Sequence, residues 1–324
     1  MPRYKLTIAY DGTDFCGWQK QEPFAPDGAG LDDSPRPGEG IELKLQPQGM
    51  VLREGEARPR VLMRTVQEVV ERAVREIVRE PVNLKGASRT DSGVHARGQV
   101  AAFTCSPASP DLVQTLELGE PPTVVPGASA ELAANEADSR GHGGWPIGRG
   151  VERLRQALNG RLPEDVVVTA CEVAPDDFDP ISHCTSKGYS YTIHASRERA
   201  LWDRRFVQQV WEPLDVAKMQ QAAAGFVGEH DFAAFAAAGH GRLTTVRTIY
   251  ACAVTDLGGS RVRIDVSGSG FLYNMVRIIA GTLVEVGRGK IARERIGEII
   301  EGKNRRNAGP TLPAQGLCLE WIRY

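Results

Sequence analysis

The sequence predicts an α+β protein with antiparallel sheet and helices packed on one face. Three observations carry this. YKLTIAYDG, GYSYTIHA and RVRIDVSG alternate apolar and polar residues with the period of a strand. RTVQEVVERAVREIVRE, residues 64–80, places Val66, Val69, Val70, Ala73, Val74, Ile77 and Val78 at helical spacing. TVRTIYACAVTD and RVRIDVSG are separated only by a short stretch containing Leu257-Gly258-Gly259, the spacing of a hairpin rather than a parallel crossover.

The first strand carries Leu6, Ile8 and Tyr10 on one face and ends in a turn at Asp11-Gly12. Residues 22–63 are rich in proline, glycine and charge, without periodicity, and read as a long insertion with a short hairpin in its later part. Order returns with the helix over 64–80. Thr65 and Glu68 form a capping box, and the Glu68/Arg72 and Glu71/Arg75 pairs mark a solvated face. VNLKGAS and GQVAAFTC are the next strands. Residues 106–147 read as a second irregular region that loops out, with at most one short element. GVERLRQALNGRLPED is a helix ending at Asn159-Gly160, and VVVTACEV a buried strand. The second half continues with GYSYTIHA, the helix PLDVAKMQQAAAGFVGEHDF with its turn, and the hairpin. FLYNMVRIIAGTLVEVG and ARERIGEIIEG follow as helices, and GLCLEWIRY as a closing strand. This organisation predicts an N-terminal domain over 1–110, an irregular insertion over 111–147 and a C-terminal domain over 148–324.

The 324 residues are 41% hydrophobic, enough for a sizeable core. The 39 basic and 41 acidic residues give a net charge of -2, so any contact with a polyanion must come from local patches. The six cysteines, at 16, 105, 171, 184, 252 and 318, lie at neither zinc-ligand nor redox-pair spacing, and no HExxH-like histidine pair occurs. Neither a metal site nor disulfides are expected, and scattered thiols fit a cytoplasmic protein. The N-terminal stretch reads as a strand rather than a signal peptide, and no apolar run is long enough to span a membrane.

The stretch ASRTDSGVHARGQVAAF concentrates the candidate chemistry. Asp91 in Thr-Asp-Ser-Gly is, taken alone, a common turn residue. Arg89 stands two residues away, able to grip a carboxylate or phosphate, and His95 and Arg97 add polar groups at the mouth of an apolar strand. Far off in sequence, Arg277 lies inside an apolar helical stretch and needs a partner, for which Asp91 is the natural candidate.

These residues carry a resemblance. SRTDSGVHARGQVAAF resembles the motif that holds the catalytic aspartate in the tRNA pseudouridine synthase A family. YDGTDFCGWQKQ with RTVQEVVERAV, GSGFLYNMVRIIAGTLVEVGRG and GPTLPAQGLCLEWIRY are similar to three further family segments, in the same order. The resemblance implies the pseudouridine synthase fold: two α/β halves with antiparallel sheets joined across a central RNA-binding cleft. It implies Asp91 as the catalytic aspartate and Arg89 as the residue holding the flipped nucleotide. Tyr189 becomes the aromatic beneath the target base, Arg277 the partner of the carboxylate and Leu317 an apolar wall of the pocket. Without it, Tyr189 reads as a strand aromatic and Leu317 as core.

The implied activity is a cofactor-independent isomerisation of uridine to pseudouridine in the tRNA anticodon stem-loop, at positions 38, 39 and 40. A cytoplasmic homodimer that engages tRNA through both subunits goes with it. Two other readings remain open at this level: a synthase of the same fold acting on other uridines or RNAs, and a tRNA-binding chaperone without catalysis. Candidate phosphate contacts are Arg97, Lys187, Arg204, Arg205, Arg242, Lys303, Arg305 and Arg306. The chain departs from the family at FDPISHCTSKGYSY. Ile181 stands where the family has an arginine, and Lys187-Gly188 where it has two basic residues.

Overall fold

The computed structural model describes residues 1–20, 63–106, 150–237 and 243–324. The insertion expected at 22–63 therefore lies outside the described residues except at its last position, the one at 106–147 except at its first, and Arg242 lies wholly outside. The described residues form an α+β fold in which most strand pairs are antiparallel. The chain divides into two compact units, Met1–Arg89 with Val100–Ser182, and Thr90–Gln99 with His183–Tyr324.

The first unit contains β1 (Arg3–Tyr10), α1 (Val66–Val78), β2 (Lys85–Gly86), the second half of β3 (His95–Thr104), α2 (Gly150–Asn159) and β4 (Val166–Ala174). β1 alternates half-buried and buried residues along its whole length, as its sequence predicts. It pairs antiparallel with β4, with an irregularity between Thr7 and Ile8. β4 is not the buried strand expected. It is hydrogen-bonded to β1 alone among the described strands, and Val167 and Val173 face outward.

In α1, Thr65 caps the N-terminus by accepting a hydrogen bond from the Glu68 backbone N–H at 3.4 Å, and Arg79 closes the helix in the left-handed region at φ 58°. The face assigned to solvent needs one correction. Glu71 is 2% exposed, ion-paired with both Lys20 and Arg75, and accepts the Leu84 N–H at 3.0 Å. Helical periodicity could not reveal this, because Lys20 is far away in sequence. Glu68 and Arg72 do pair on the surface, at 3.0 Å.

The second unit contains the first half of β3, β5 (Ser186–Ala195), β6 (Gln208–Val210), α3 (Val216–Ala223), β7 (Gly228–Asp231), β8 (Val246–Gly258), β9 (Arg261–Gly268), α4 (Met275–Gly287), α5 (Arg295–Glu301) and β10 (Leu317–Arg323). Its sheet runs β3-β10-β5-β9-β8-β7, with β6 on β5. β10 is parallel to β3 and antiparallel to β5. The β8–β9 hairpin turns through Gly258, Gly259 and Ser260, all at positive φ, which is why two glycines occur there. β7, with the polar sequence GEHD, has no strand-like pattern and was not expected.

One face of this sheet is apolar. Tyr189, Tyr191 and Ile193 of β5, Val262, Ile264 and Val266 of β9, and Leu317 and Leu319 of β10 are all buried at alternate positions. Helix α4 is buried along nearly its entire length. It begins at Met275 rather than Phe271, because Asn274 takes the left-handed conformation at φ 60° and breaks the apolar run FLYN from the helix.

Candidate active site

The second unit brings Asp91 and Arg277 together. Asp91 lies in a tight loop ahead of β3. Its backbone carbonyl accepts the Val94 N–H at 3.1 Å, and Gly93 takes φ 78°, a conformation that favours glycine. The opposite side of Gly93 is close-packed, since a Cβ there would sit 3.3 Å from that of Ala314. The loop is further fixed by His95, which is buried. Its Nε2 lies 2.9 Å from the Arg205 carbonyl and 3.2 Å from that of Gln315, so this nitrogen carries the proton and donates.

Arg277 sits in the first turn of α4, with its Nη1 3.6 Å from the Asp91 carboxylate. That is ion-pair rather than hydrogen-bond distance. Its strong hydrogen bonds go elsewhere. Nε donates to the Leu312 carbonyl at 2.6 Å and Nη1 to the Asn274 side chain at 2.7 Å. The guanidinium is thus aimed before it meets the carboxylate. Asp91 keeps 30% of its side chain exposed and Arg277 17%.

Burial pushes the Asp91 carboxyl above the usual aspartate range, and the nearby charge of Arg277 opposes this without cancelling it. A half-buried carboxylate with one cation at ion-pair distance keeps acceptor capacity for a substrate.

Tyr189 is buried in β5 between Val266 and Leu319, and Phe271 meets its ring edge-to-face at 5.2 Å. Leu317 opens β10 opposite Tyr191 and is buried. The Tyr191 hydroxyl donates to the Pro313 carbonyl at 2.7 Å. Its phenol is pushed far up by burial, against the pull of Arg277, so it stays neutral and structural. Arg89 is exposed and belongs to the first unit.

Sequence reasoning missed Asn274, the Leu312 carbonyl, Tyr191 and Phe271. Only Asn274 left a signal, an asparagine immediately before the helix, where left-handed geometry is tolerated.

The proposed phosphate contacts separate into kinds. Arg97 is 70% exposed and reaches Glu320 at 3.6 Å, and Lys303 pairs with Asp231 at 2.7 Å. Arg204 and Arg205 are exposed beside Trp202, which is 94% exposed. Arg305 is different: its guanidinium donates to the Gly309 carbonyl at 2.8 Å and to Thr311 at 3.1 Å. The departure at Gly188 has a packing reason. Trp321 covers it, and any Cβ there would fall inside the indole ring's contact surface. Ile181 is exposed, its N–H bound to Asp179 at 2.8 Å.

An arginine-faced aspartate at the mouth of a strand in an α+β scaffold leaves the kind of chemistry open. Comparison with known proteins narrows it. Residues 222–324 match the family model described as tRNA pseudouridine synthase. The whole chain is 34% identical over 324 residues to tRNA pseudouridine synthase A of Geobacter sulfurreducens, covering all of both chains. It is 36% identical to the protein of that name from Citrifermentans bemidjiense, over all of this chain and 98% of the relative. The same identity holds for that of Pelobacter propionicus, over all of both chains. The chain belongs to the tRNA pseudouridine synthase A family.

Proposed function

We propose that Asp91 is the catalytic group with which this chain isomerises uridine to pseudouridine in tRNA, and that its targets lie at positions 38, 39 and 40 of the anticodon stem-loop. The isomerase activity follows from family membership over the full chain. The observation that carries the role of Asp91 is its carboxylate, half-buried and 3.6 Å from an arginine already fixed by two other hydrogen bonds.

The reaction breaks the N1–C1′ bond, turns the uracil and joins C5 to C1′. The C5 proton is lost and N1 gains one, so the sum of atoms and electrons is unchanged. An ionised carboxylate can start it by adding to the sugar or base, or by taking a ribose proton as the base leaves. Arg277 keeps enough of the carboxylate ionised despite burial and fixes its direction. The uridine must leave its stack first, at a cost of about a few kcal/mol. In this reading Tyr189 lies beneath the extruded base, Leu317 forms an apolar wall, and Arg89 inserts to hold the nucleotide.

Arg97, Arg204, Arg205 and Arg306 are the surface contacts that would position phosphates. Among the described residues, no helix is long and apolar enough to cross a membrane. A cytoplasmic homodimer engaging tRNA through both subunits completes the reading.

The test is to incubate the protein and Asp91→Asn with unmodified tRNA transcript and to map pseudouridine by carbodiimide primer extension. Product in the anticodon arm with the wild type alone is expected. Equal product from both would remove Asp91 from the chemistry, and product only outside that arm would remove the assigned positions.

A further inference from the structure

We infer that Arg305 is a positioning residue for the isomerisation, holding the 308–312 segment whose last carbonyl anchors the arginine that faces Asp91. This rests on the reading of Asp91 as the catalytic carboxylate. The Nε of Arg277 donates to the Leu312 carbonyl at 2.6 Å, and the Leu312 N–H returns to the Arg277 carbonyl at 3.4 Å. The direction of the Arg277 guanidinium therefore depends on where residue 312 stands.

Residue 312 lies in a segment without regular secondary structure, so something outside a ladder must fix it. Two devices do. On the side of α4, Gly309 is buried and donates its N–H to the Thr282 hydroxyl at 2.9 Å. Gly281 also lets the segment approach: a Cβ there would collide with the Pro310 carbonyl oxygen. On the other side stands Arg305, at the start of a short 3₁₀ turn, Arg305–Asn307. Its Nη1 donates to the Gly309 carbonyl at 2.8 Å and its Nη2 to the Thr311 hydroxyl at 3.1 Å, bracketing the segment at two points.

Arg305 has no carboxylate within ion-pair distance among the described residues, so its attachments are to neutral oxygens of this one segment. A rigid fork with fixed spacing does this, and a lysine ammonium cannot reproduce it. Its neighbour Arg306 points to solvent, so the two adjacent arginines divide the work. A side chain three contacts from the carboxylate can matter this much because misplacing a reacting group by about 1 Å costs up to about 10²-fold in rate.

The experiment compares wild type, Arg305→Gln, Arg305→Lys and Thr311→Val. It measures single-turnover conversion of unmodified tRNA transcript at saturating enzyme across pH, tRNA Kd by filter binding, and melting temperature. Arg305→Gln is expected to lower the single-turnover rate about 10- to 100-fold. Its Kd should stay within about threefold, because the side chain contacts the protein rather than phosphate. The acid limb of its rate profile should move to higher pH, because a loosened Arg277 opposes the burial of Asp91 less. Arg305→Lys should recover part of the rate, and Thr311→Val should lose less than Arg305→Gln with the limb displaced in the same direction.

A wild-type rate and limb in Arg305→Gln overturn the inference while leaving the function intact. So does a loss confined to Kd with the salt slope reduced by about one, the mark of a direct phosphate contact. Should Arg305→Gln not fold, wild-type profiles in Arg305→Lys and Thr311→Val overturn it instead. A wild-type protein that makes no pseudouridine sinks the proposed function first, and this inference with it.

Discussion

Glu71 and Asp91 are both carboxylates facing arginines, and they are built to opposite ends. Glu71 is almost wholly buried, with Lys20, Arg75 and the Leu84 N–H all directed at it. Among the described residues Asp91 has one cation, at 3.6 Å, and that cation directs its strong hydrogen bonds to Asn274 and Leu312. The first carboxylate is saturated and ties a helix to the chain before and after it. The second is partly desolvated and left with acceptor capacity. A buried charge with every partner in place serves the fold, whereas one held short of satisfaction is suited to a substrate.

The comparison breaks most sharply on paired substitutions. Asp91→Asn should lower turnover by about 10³-fold or more, the scale of losing an acid–base or nucleophilic group. It should leave the melting temperature unchanged or raised, since it removes a charge that burial penalises. Glu71→Gln, assayed below its own melting transition, should keep turnover within a few-fold. Turnover by primer extension and melting by circular dichroism check both. Next in size is Arg277→Lys, expected to cost about 10²-fold in single-turnover rate, because an ammonium cannot bond Asn274 and Leu312 while also facing Asp91.

Glu71→Ala comes third and is a stability effect. It leaves the Leu84 N–H unpaired, for about 1–3 kcal/mol. Lys20 and Arg75 are partly exposed and regain water, which holds the loss to that range. Urea unfolding measures it, and a loss near zero would mean that Glu71 is as dispensable as a surface charge. Of similar size is Gly188→Ala, expected to cost about 1–3 kcal/mol by overpacking against Trp321, at the lower end because the partly exposed indole can swing away.

The same contrast explains what the sequence made legible. The strands β1, β9 and β10 and the β8–β9 hairpin were readable because each buries alternate residues or turns on paired glycines, and β5 because its apolar residues alternate in sequence although both its faces are buried. Strand β7 was not, because GEHD carries no apolar period. The start of α4 was placed too early, because Phe271 and Leu272 are apolar for reasons other than helix packing and Asn274 adopts a backbone conformation that hydropathy cannot show. Asp91 and Arg277 could be matched because an arginine within an apolar helix demands a partner. Glu71 was assigned to water because Lys20, Arg75 and Leu84 converge on it only after folding. Arg305 was read as a phosphate contact because nothing in KNRRN reveals that one arginine turns inward to its own backbone and the next does not.

The pH dependence of the single-turnover rate tests the central contrast most directly. In the proposed mechanism Asp91 acts as an ionised carboxylate, and burial has raised its pKa above the usual aspartate range. Conversion should therefore rise with pH through a midpoint above that range and then level off, with the protein folded throughout. A rate that stays flat down to the onset of acid unfolding, or that falls as pH rises through that window, would contradict the account.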